Sequence, residues 1–296
     1  MQNKLTIFTP SYNRKYTLPR LYESLLNQTD KRFEWLIVDD GSSDGTGEYI
    51  KELIKENKLS IRCEYQANAG KSQAHNKGVE LTITELFVCV DSDDYLKENA
   101  VEEILKKWED AAADNVGILS YRIHGDGTAI TRIENTSIQE FTLRDGYSRY
   151  GLKGDTMLVF RTDIVKKYRF PKFEGEKFVP ETYLYDLIDG NGTLMLLRKG
   201  LYVCDYLEDG YTKSSNKLLA QNPNGVLAYL DHRLQTETSF KDKLFDLIRY
   251  IAIAKCSDKK QIIKASHNPI WAILMYPFGV VMYLKRYKKH KLGGKQ

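Results

Sequence analysis

Phe87-Val88-Cys89-Val90-Asp91-Ser92-Asp93-Asp94 is an apolar run that ends in three carboxylates within four residues. The apolar half reads as a buried strand. Buried strands do not hold unpaired carboxylates, so the acidic cluster belongs at the strand's exit, where solvent or a cation meets it. Two readings of this stretch stand side by side. Crowded carboxylates repel, and a divalent cation with hard oxygen ligands relieves the repulsion, which suits Mg²⁺ or Mn²⁺ with substrate phosphates completing the shell. Alternatively, Asp93 or Asp94 caps the helix that follows.

Working outward, the chain before this run alternates strands and helices. Leu5–Thr9 reads as a strand halted by Pro10, and Leu18, Leu21 and Leu25 mark an amphipathic helix. Phe33–Val38 is a second strand, followed by a helix carrying Tyr49, Ile50, Leu53 and Ile54. A third strand spans 60–65, and a helix runs through Ala74 to Val79. This alternation predicts an α/β fold with a mostly parallel sheet flanked by helices. Such sheets bind ligands at the carboxyl ends of their strands. Four polar loops fall at those ends: Thr9–Arg14, Asp39–Thr46, Asn68–Lys71 and Asp91–Asp94. One polar loop means little, but four at equivalent ends define a site. No strand is followed by GxGxxG and no GxxxxGK[ST] occurs, so dinucleotide and P-loop readings are excluded.

After residue 94, Val101, Ile104, Leu105 and Trp108 predict a helix, and Val116–Leu119 a buried strand. A looser stretch from Arg122 to Gly151 holds a hairpin turn at Gly125-Asp126-Gly127. Strand Met157–Phe160, helix Thr162–Tyr168 and a helix opening at Glu181 follow. Leu194–Leu197 and Leu201–Tyr206 read as two further strands.

The 296 residues, 42% hydrophobic and 28% charged, suit one domain of about 200–250 residues with an appendage. A net charge of +4 is too small to point to a nucleic-acid binder by itself, and none is expected as a partner. Cys63, Cys89, Cys204 and Cys256 form no CxxC pair and read as free thiols. The five histidines show no ligand spacing and read as surface or loop residues; Trp35 and Trp108 read as core. The start of the chain shows no signal peptide, so the expected location is the cytoplasm.

Thr9-Pro10-Ser11-Tyr12-Asn13-Arg14, Val38-Asp39-Asp40-Gly41-Ser42-Ser43-Asp44-Gly45-Thr46 and Asp91-Ser92-Asp93-Asp94 together strongly resemble family-2 glycosyltransferases of the GT-A fold, over roughly residues 3 to 212. The resemblance implies a catalytic domain at 1–212 and a helical region at 213–296. It implies that Thr9, Pro10 and Tyr12 hold the nucleotide base and that Asp40 reads uracil, with Asp39 and Ser42 supporting the turn. Asn68, Lys71 and Asn76 would line the nucleotide pocket, Lys71 adding positive charge near the diphosphate. In Asp91-Ser92-Asp93, Asp93 would be the main metal ligand and Asp91 a ribose or metal contact; the cofactor would be Mn²⁺ or Mg²⁺. The family's catalytic base lies in an acidic pair that matches Glu181-Thr182 here, so Thr182 stands where an Asp is usual. Glu181 is left as the candidate base, alternatively a first-turn acid favoured by the helix dipole, and Asp155 is the second candidate. The resemblance puts Tyr211 where the family places a loop near the donor, with no role assigned to it. The implied reaction is inverting transfer from a UDP-sugar to a glycan or lipid-linked acceptor in surface polysaccharide synthesis. A catalytically impaired sugar-nucleotide-binding or scaffold protein is the alternative that Thr182 supports.

The segment Ile270–Leu284 is apolar but interrupted by Pro277 and Gly279, and is short of the roughly twenty residues a spanning helix needs. Lys285-Arg286-Tyr287-Lys288-Lys289-His290-Lys291 follows at once. This pattern, over 268–291, predicts a segment lying on the inner face of the cell membrane. A terminal helix packed on the domain or in a homodimer interface is the other reading.

Overall fold

The computed structural model describes residues 2–204, 215–257, 262–263 and 266–291. Two compact units divide the chain. The first comprises Met1–Arg169 and Tyr185–Leu207; the second comprises Phe170–Leu184 and Glu208–Gln296.

The first unit opens with β1 (Leu5–Ser11), α1 (Leu18–Leu26), β2 (Phe33–Asp39), α2 (Thr46–Glu56), β3 (Ile61–Tyr65), α3 (Lys71–Leu81) and β4 (Leu86–Cys89). These strands pair in parallel in the order β3-β2-β1-β4. β1 and β2 are buried along their whole length because helices cover both faces. Leu18, Leu21 and Leu25 pack one stripe of α1 on the sheet beside Trp35 and Ile37.

The second half contains β5 (Tyr95–Leu96), α4 (Ala100–Trp108), β6 (Asn115–Ile123), β7 (Glu140–Phe141), α5 (Leu143–Arg149), β8 (Thr156–Arg161), α6 (Thr162–Val165), α7 (Glu181–Ile188) and β9 (Thr193–Val203). The unit boundary falls inside α7. β8 runs antiparallel between β4 and β6, and β6 pairs in parallel with β9. The parallel block thus continues into a mixed sheet of nine strands.

Several local expectations are corrected. Pro10 does not halt β1, which continues to Ser11 opposite Asp39. Phe8 and other even-numbered residues of β1 turn their peptide groups toward β4, but that pairing ends at Phe8–Cys89. Proline's missing N–H therefore costs no ladder bond. The stretch 122–151 does turn at Gly127, whose N–H donates to His124. It also holds α5, whose Thr142 cap accepts from Asp145 N, and whose polar face and Gly146 hide its period. Leu194–Leu197 and Leu201–Val203 belong to one strand, β9, with an irregular register against β6 that absorbs Arg198, Lys199 and Leu201, while Asp205 and Tyr206 lie outside the described residues. Helix α6 stops at Val165. His75 is not a surface residue: it is buried on α3, edge-on to Phe8 and Phe87 at 5.7 and 5.3 Å. Trp108 is only partly buried and donates to Glu85 at 2.7 Å.

Helix α3 lies close on β1 because Gly78 has no side chain. A Cβ there would overlap the Phe8 ring. Gly78→Ala is expected to destabilise the protein by about 1–3 kcal/mol, since Phe8 is itself fully packed. Chemical denaturation would check this, and an unchanged midpoint would refute the close approach.

The second unit is helical after the start of α7: α8 (Ser215–Gln221), α9 (Pro223–Thr236), α10 (Phe240–Ala254) and α11 (Pro269–Met282), then a π-helical turn over Tyr283–Tyr287 and a 3₁₀ turn over Lys288–His290. Val226, Leu227, Leu230, Tyr250 and Ile253 form its core. Arg233 ties α9 to α10 through Asp246 at 3.0 Å and also pairs with Glu237 at 2.6 Å. The Asn222 carboxamide oxygen accepts from Lys177 N at 2.8 Å, fixing the segment before α7 to the start of α9. Tyr211 and the proposed boundary near 212 lie outside the described residues.

Candidate active site

The four polar loops all leave the sheet at the carboxyl ends of β1 to β4, and hydrogen bonds join each to the next. Asn13 stands between the first two: its N–H donates to Ser42 Oγ at 2.8 Å, and its Oδ1 accepts from Ser43 N at 2.8 Å. Arg14 N donates to Thr46 Oγ1 at 3.0 Å, extending the seam. Asp39 Oδ1 accepts from Ser42 N at 2.9 Å and so holds the turn after β2. That turn needs Gly41, which has φ +79° and lies so close to Asn68 N that a Cβ would sit 2.9 Å from it.

Asp40 joins the second loop to the third. Its Oδ1 accepts from Gln66 Nε2 at 2.7 Å and Ala69 N at 2.8 Å, and its Oδ2 from Gly70 N at 2.8 Å. A carboxylate offers about four acceptor positions, so roughly one remains for a ligand. Lys71, the first residue of α3, joins the third loop to the fourth through Asp91 Oδ1 at 2.6 Å. Arg20 of α1 reaches the backbone carbonyl of Asp93, its guanidinium lying over the Tyr95 ring at 4.8 Å.

Thr9 spends its side chain on the core, accepting from Trp35 Nε1 at 2.9 Å, so only its backbone serves the strand end. Pro10 and Ser92 are buried, and Asn68 is half-buried. The Tyr12 ring is 49% exposed, as a stacking platform for a base must be. Asn76, on α3, hydrogen-bonds Gln73. Ser11 Oγ is buried at the end of β1 with no partner among the described residues, a polar atom that a ligand or water satisfies. Asp155 is exposed just before β8, whose antiparallel course puts its start at the end where β4 leaves. Glu181 opens α7 in the second unit and is half-buried.

Sequence reasoning missed Gln66, Tyr202 and Arg122. The Tyr202 hydroxyl accepts from Asp91 N at 2.9 Å and hydrogen-bonds the Asp94 carboxylate. Arg122 of β6 lies 4.1 Å from the Tyr202 ring centroid and donates from Nε to Thr156 O at 3.0 Å. A Tyr and an Arg in separate strands give no local signal; only the pairing of β6 with β9 brings them behind the acidic loop.

Burial, and then the charge of Asp91, push the Asp94 carboxyl from its ordinary 3.8 up to about 7. The same two causes raise Asp93. Unfolded, Asp94 loses its proton near its ordinary value; folded, it keeps the proton to about pH 7. The folded state binds more protons in that window, so stability falls as pH rises through it. Asp94→Asn should therefore raise the thermal midpoint at about pH 8 and do little at about pH 4, in buffer with chelator. Equal gains at both pH values would contradict this origin.

Sheets of this kind take their ligands at the carboxyl ends of their strands, and here those ends are laced into one edge that carries Asp40, Lys71 and Asp91. The Glycosyl transferase family 2 model matches residues 6–169. The chain belongs to glycosyltransferase family 2. It is similar to glycosyltransferase GlyA of Streptococcus pneumoniae, 32% identical over 151 residues, which cover 47% of this chain and 22% of GlyA. It is also similar to the poly(ribitol-phosphate) beta-N-acetylglucosaminyltransferase TarP of Staphylococcus aureus, 26% identical over 189 residues, covering 62% of this chain and 56% of TarP. The matched part is thus less than two thirds of either relative. Among solved structures, S. aureus TarS 1–349 in complex with UDP-GlcNAc superposes with a TM-score of 0.63 at 17% identity, covering 96% of this chain and 92% of that one. The fold is GT-A.

Proposed function

We propose that this protein is an inverting, metal-dependent glycosyltransferase that moves a sugar from a UDP-sugar to a hydroxyl of a glycan or lipid-linked acceptor in cell-surface polysaccharide synthesis. The observation that carries the reading is the unbroken lacing of the four strand-end loops, which sets Asp40, Lys71 and Asp91 on one edge. The names of TarP and TarS make UDP-N-acetylglucosamine the first donor to try.

The residues fit a divalent cation of a particular kind. Asp91 and Asp93 offer hard oxygen donors, and Asp93 is raised first by burial and then by the charge of Asp91, which a cation would offset. Among the described residues no group of three or more His, Cys, Asp or Glu side chains could hold a metal by itself. Mg²⁺ and Mn²⁺ sites that share the shell with phosphate and water need only one or two carboxylates. Asp93 is the main ligand in this reading, because Lys71 already occupies Asp91 Oδ1. When bound, the cation would offset charge on the leaving diphosphate.

The chain's own groups do the rest. Tyr12 stacks the base, Asp40 accepts from its edge, and Lys71 adds positive charge beside the diphosphate. Glu181, or else Asp155, takes the proton of the acceptor hydroxyl as its oxygen bonds to the anomeric carbon. The bond from that carbon to the diphosphate oxygen breaks on the opposite side, so the configuration inverts. UDP release across common UDP-sugars, with and without Mn²⁺, tests the whole reading. Release with one donor, dependent on Mn²⁺, is expected. Tight UDP-sugar binding with no release to any acceptor or to water would favour the impaired scaffold instead.

A further inference from the structure

One face of α11 departs from the pattern of a helix folded into a soluble core. Ile270, Ile273, Leu274, Phe278, Val281 and, just past the helix, Leu284 are between 49% and 72% exposed. At helical spacing these six fall within a sector of roughly 140°. The opposite side is small and buried: Ala272 is fully covered, and a Cβ on Gly279 would overlap Ile251 of α10. Helix α11 thus sets Ala272 and Gly279 against α10, flanked by the partly buried Trp271, Met275 and Tyr276, and leaves a stripe of large apolar residues outward. Phe240, at the start of α10, extends the patch: it is exposed, and Trp271 meets it edge-on at 5.1 Å.

Charge chooses the occupant. Lys285, Arg286, Lys288 and Lys289 follow the stripe and are exposed. No acidic residue occurs from Pro269 to Lys291. In a second copy seated stripe on stripe, the facing segment from Pro269 to Lys291 brings no carboxylate to meet the basic turns. An anionic lipid surface offers both an apolar layer and phosphates at its edge. With 14 residues, α11 is about 21 Å long, against a hydrocarbon core of about 30 Å. No helix among the described residues is long and apolar enough to cross a membrane. The helix fits lying flat.

We propose that α11 docks the protein on an anionic lipid surface, with its apolar stripe at the headgroup–acyl boundary and Lys285 to Lys289 against lipid phosphates. The proposal does not depend on the transfer reaction. The full-length protein should co-sediment with phosphatidylglycerol-rich vesicles, bind pure phosphatidylcholine vesicles at least about tenfold more weakly, and lose affinity as salt rises. Ile273→Ser/Leu274→Ser/Phe278→Ser should lower partitioning by at least about tenfold, since these side chains supply the buried apolar area. Lys285→Gln/Lys288→Gln/Lys289→Gln should abolish the preference for phosphatidylglycerol. Should a variant fail to fold, the lipid and salt dependence of the unaltered protein still decide. Failure to bind either vesicle, or equal binding to both, overturns the proposal. So does a stable dimer, seen by sedimentation, that the serine variant converts to monomer.

Discussion

Asp93→Asn is expected to lower sugar transfer by about a thousandfold, because the cation's electrostatic help to the leaving diphosphate is worth several kcal/mol. The substitution keeps the side chain's size and removes a charge that burial and Asp91 already disfavour. The variant should therefore melt no lower than the wild type at neutral pH, which separates lost chemistry from lost fold. Titrating UDP binding with Mn²⁺ supplies the second readout. Wild-type affinity should rise with Mn²⁺, and the Asn variant should show little of that rise. Transfer within a few-fold of wild type would remove Asp93 from the metal's shell. Asp91→Asn is a less clean test, since it also breaks the 2.6 Å pair with Lys71.

How much of this was legible in the chain follows from where each signal resides. The parallel half announced itself, because β1, β2 and β4 are buried nearly throughout and carry apolar runs broken inside the strands only by Thr6 and Thr9 in β1 and by Glu34 in β2. The loops were legible for the same reason: polar residues directly after such runs have nowhere to be except the sheet's edge. What was hidden depends on long-range pairing. Gln66 is one more polar residue until Asp40 accepts from it across 26 positions of sequence. Arg122 and Tyr202 meet only through the register of β6 on β9. His75 looked like a surface histidine because α3 has a weak apolar stripe, yet Phe8 and Phe87 close over it. The irregular pairing around Arg198 to Gly200 split one strand into two apparent ones. Each miss is a contact between elements distant in sequence, which local periodicity does not encode.

Glu181→Gln is expected to cut kcat by about 10²–10⁴-fold, the usual worth of a positioned general base, with Mn²⁺-dependent UDP affinity unchanged. The amide keeps the shape and hydrogen-bonding reach of the side chain but takes no proton from the acceptor hydroxyl. Glu181 is the first residue of α7, where a carboxylate also favours the helix terminus, so a purely structural Glu there would lose up to about 1 kcal/mol of stability and no chemistry. The two roles separate on one measurement: a base moves kcat with the midpoint of unfolding nearly fixed, and a cap moves the midpoint alone. Asp155→Asn runs beside it as the competing assignment. Asp155 is exposed where β8 enters the sheet, at the end from which Asp91 leaves β4. If Glu181→Gln retains turnover and Asp155→Asn loses it, the proton goes to Asp155, and Glu181 is left with the helix. If both retain turnover, neither carboxylate is the base. The resemblance puts Thr182 at the position of a second acid, so Thr182→Asp is the informative addition. A rise in kcat on that background would mean that a second carboxylate at this position serves the transfer.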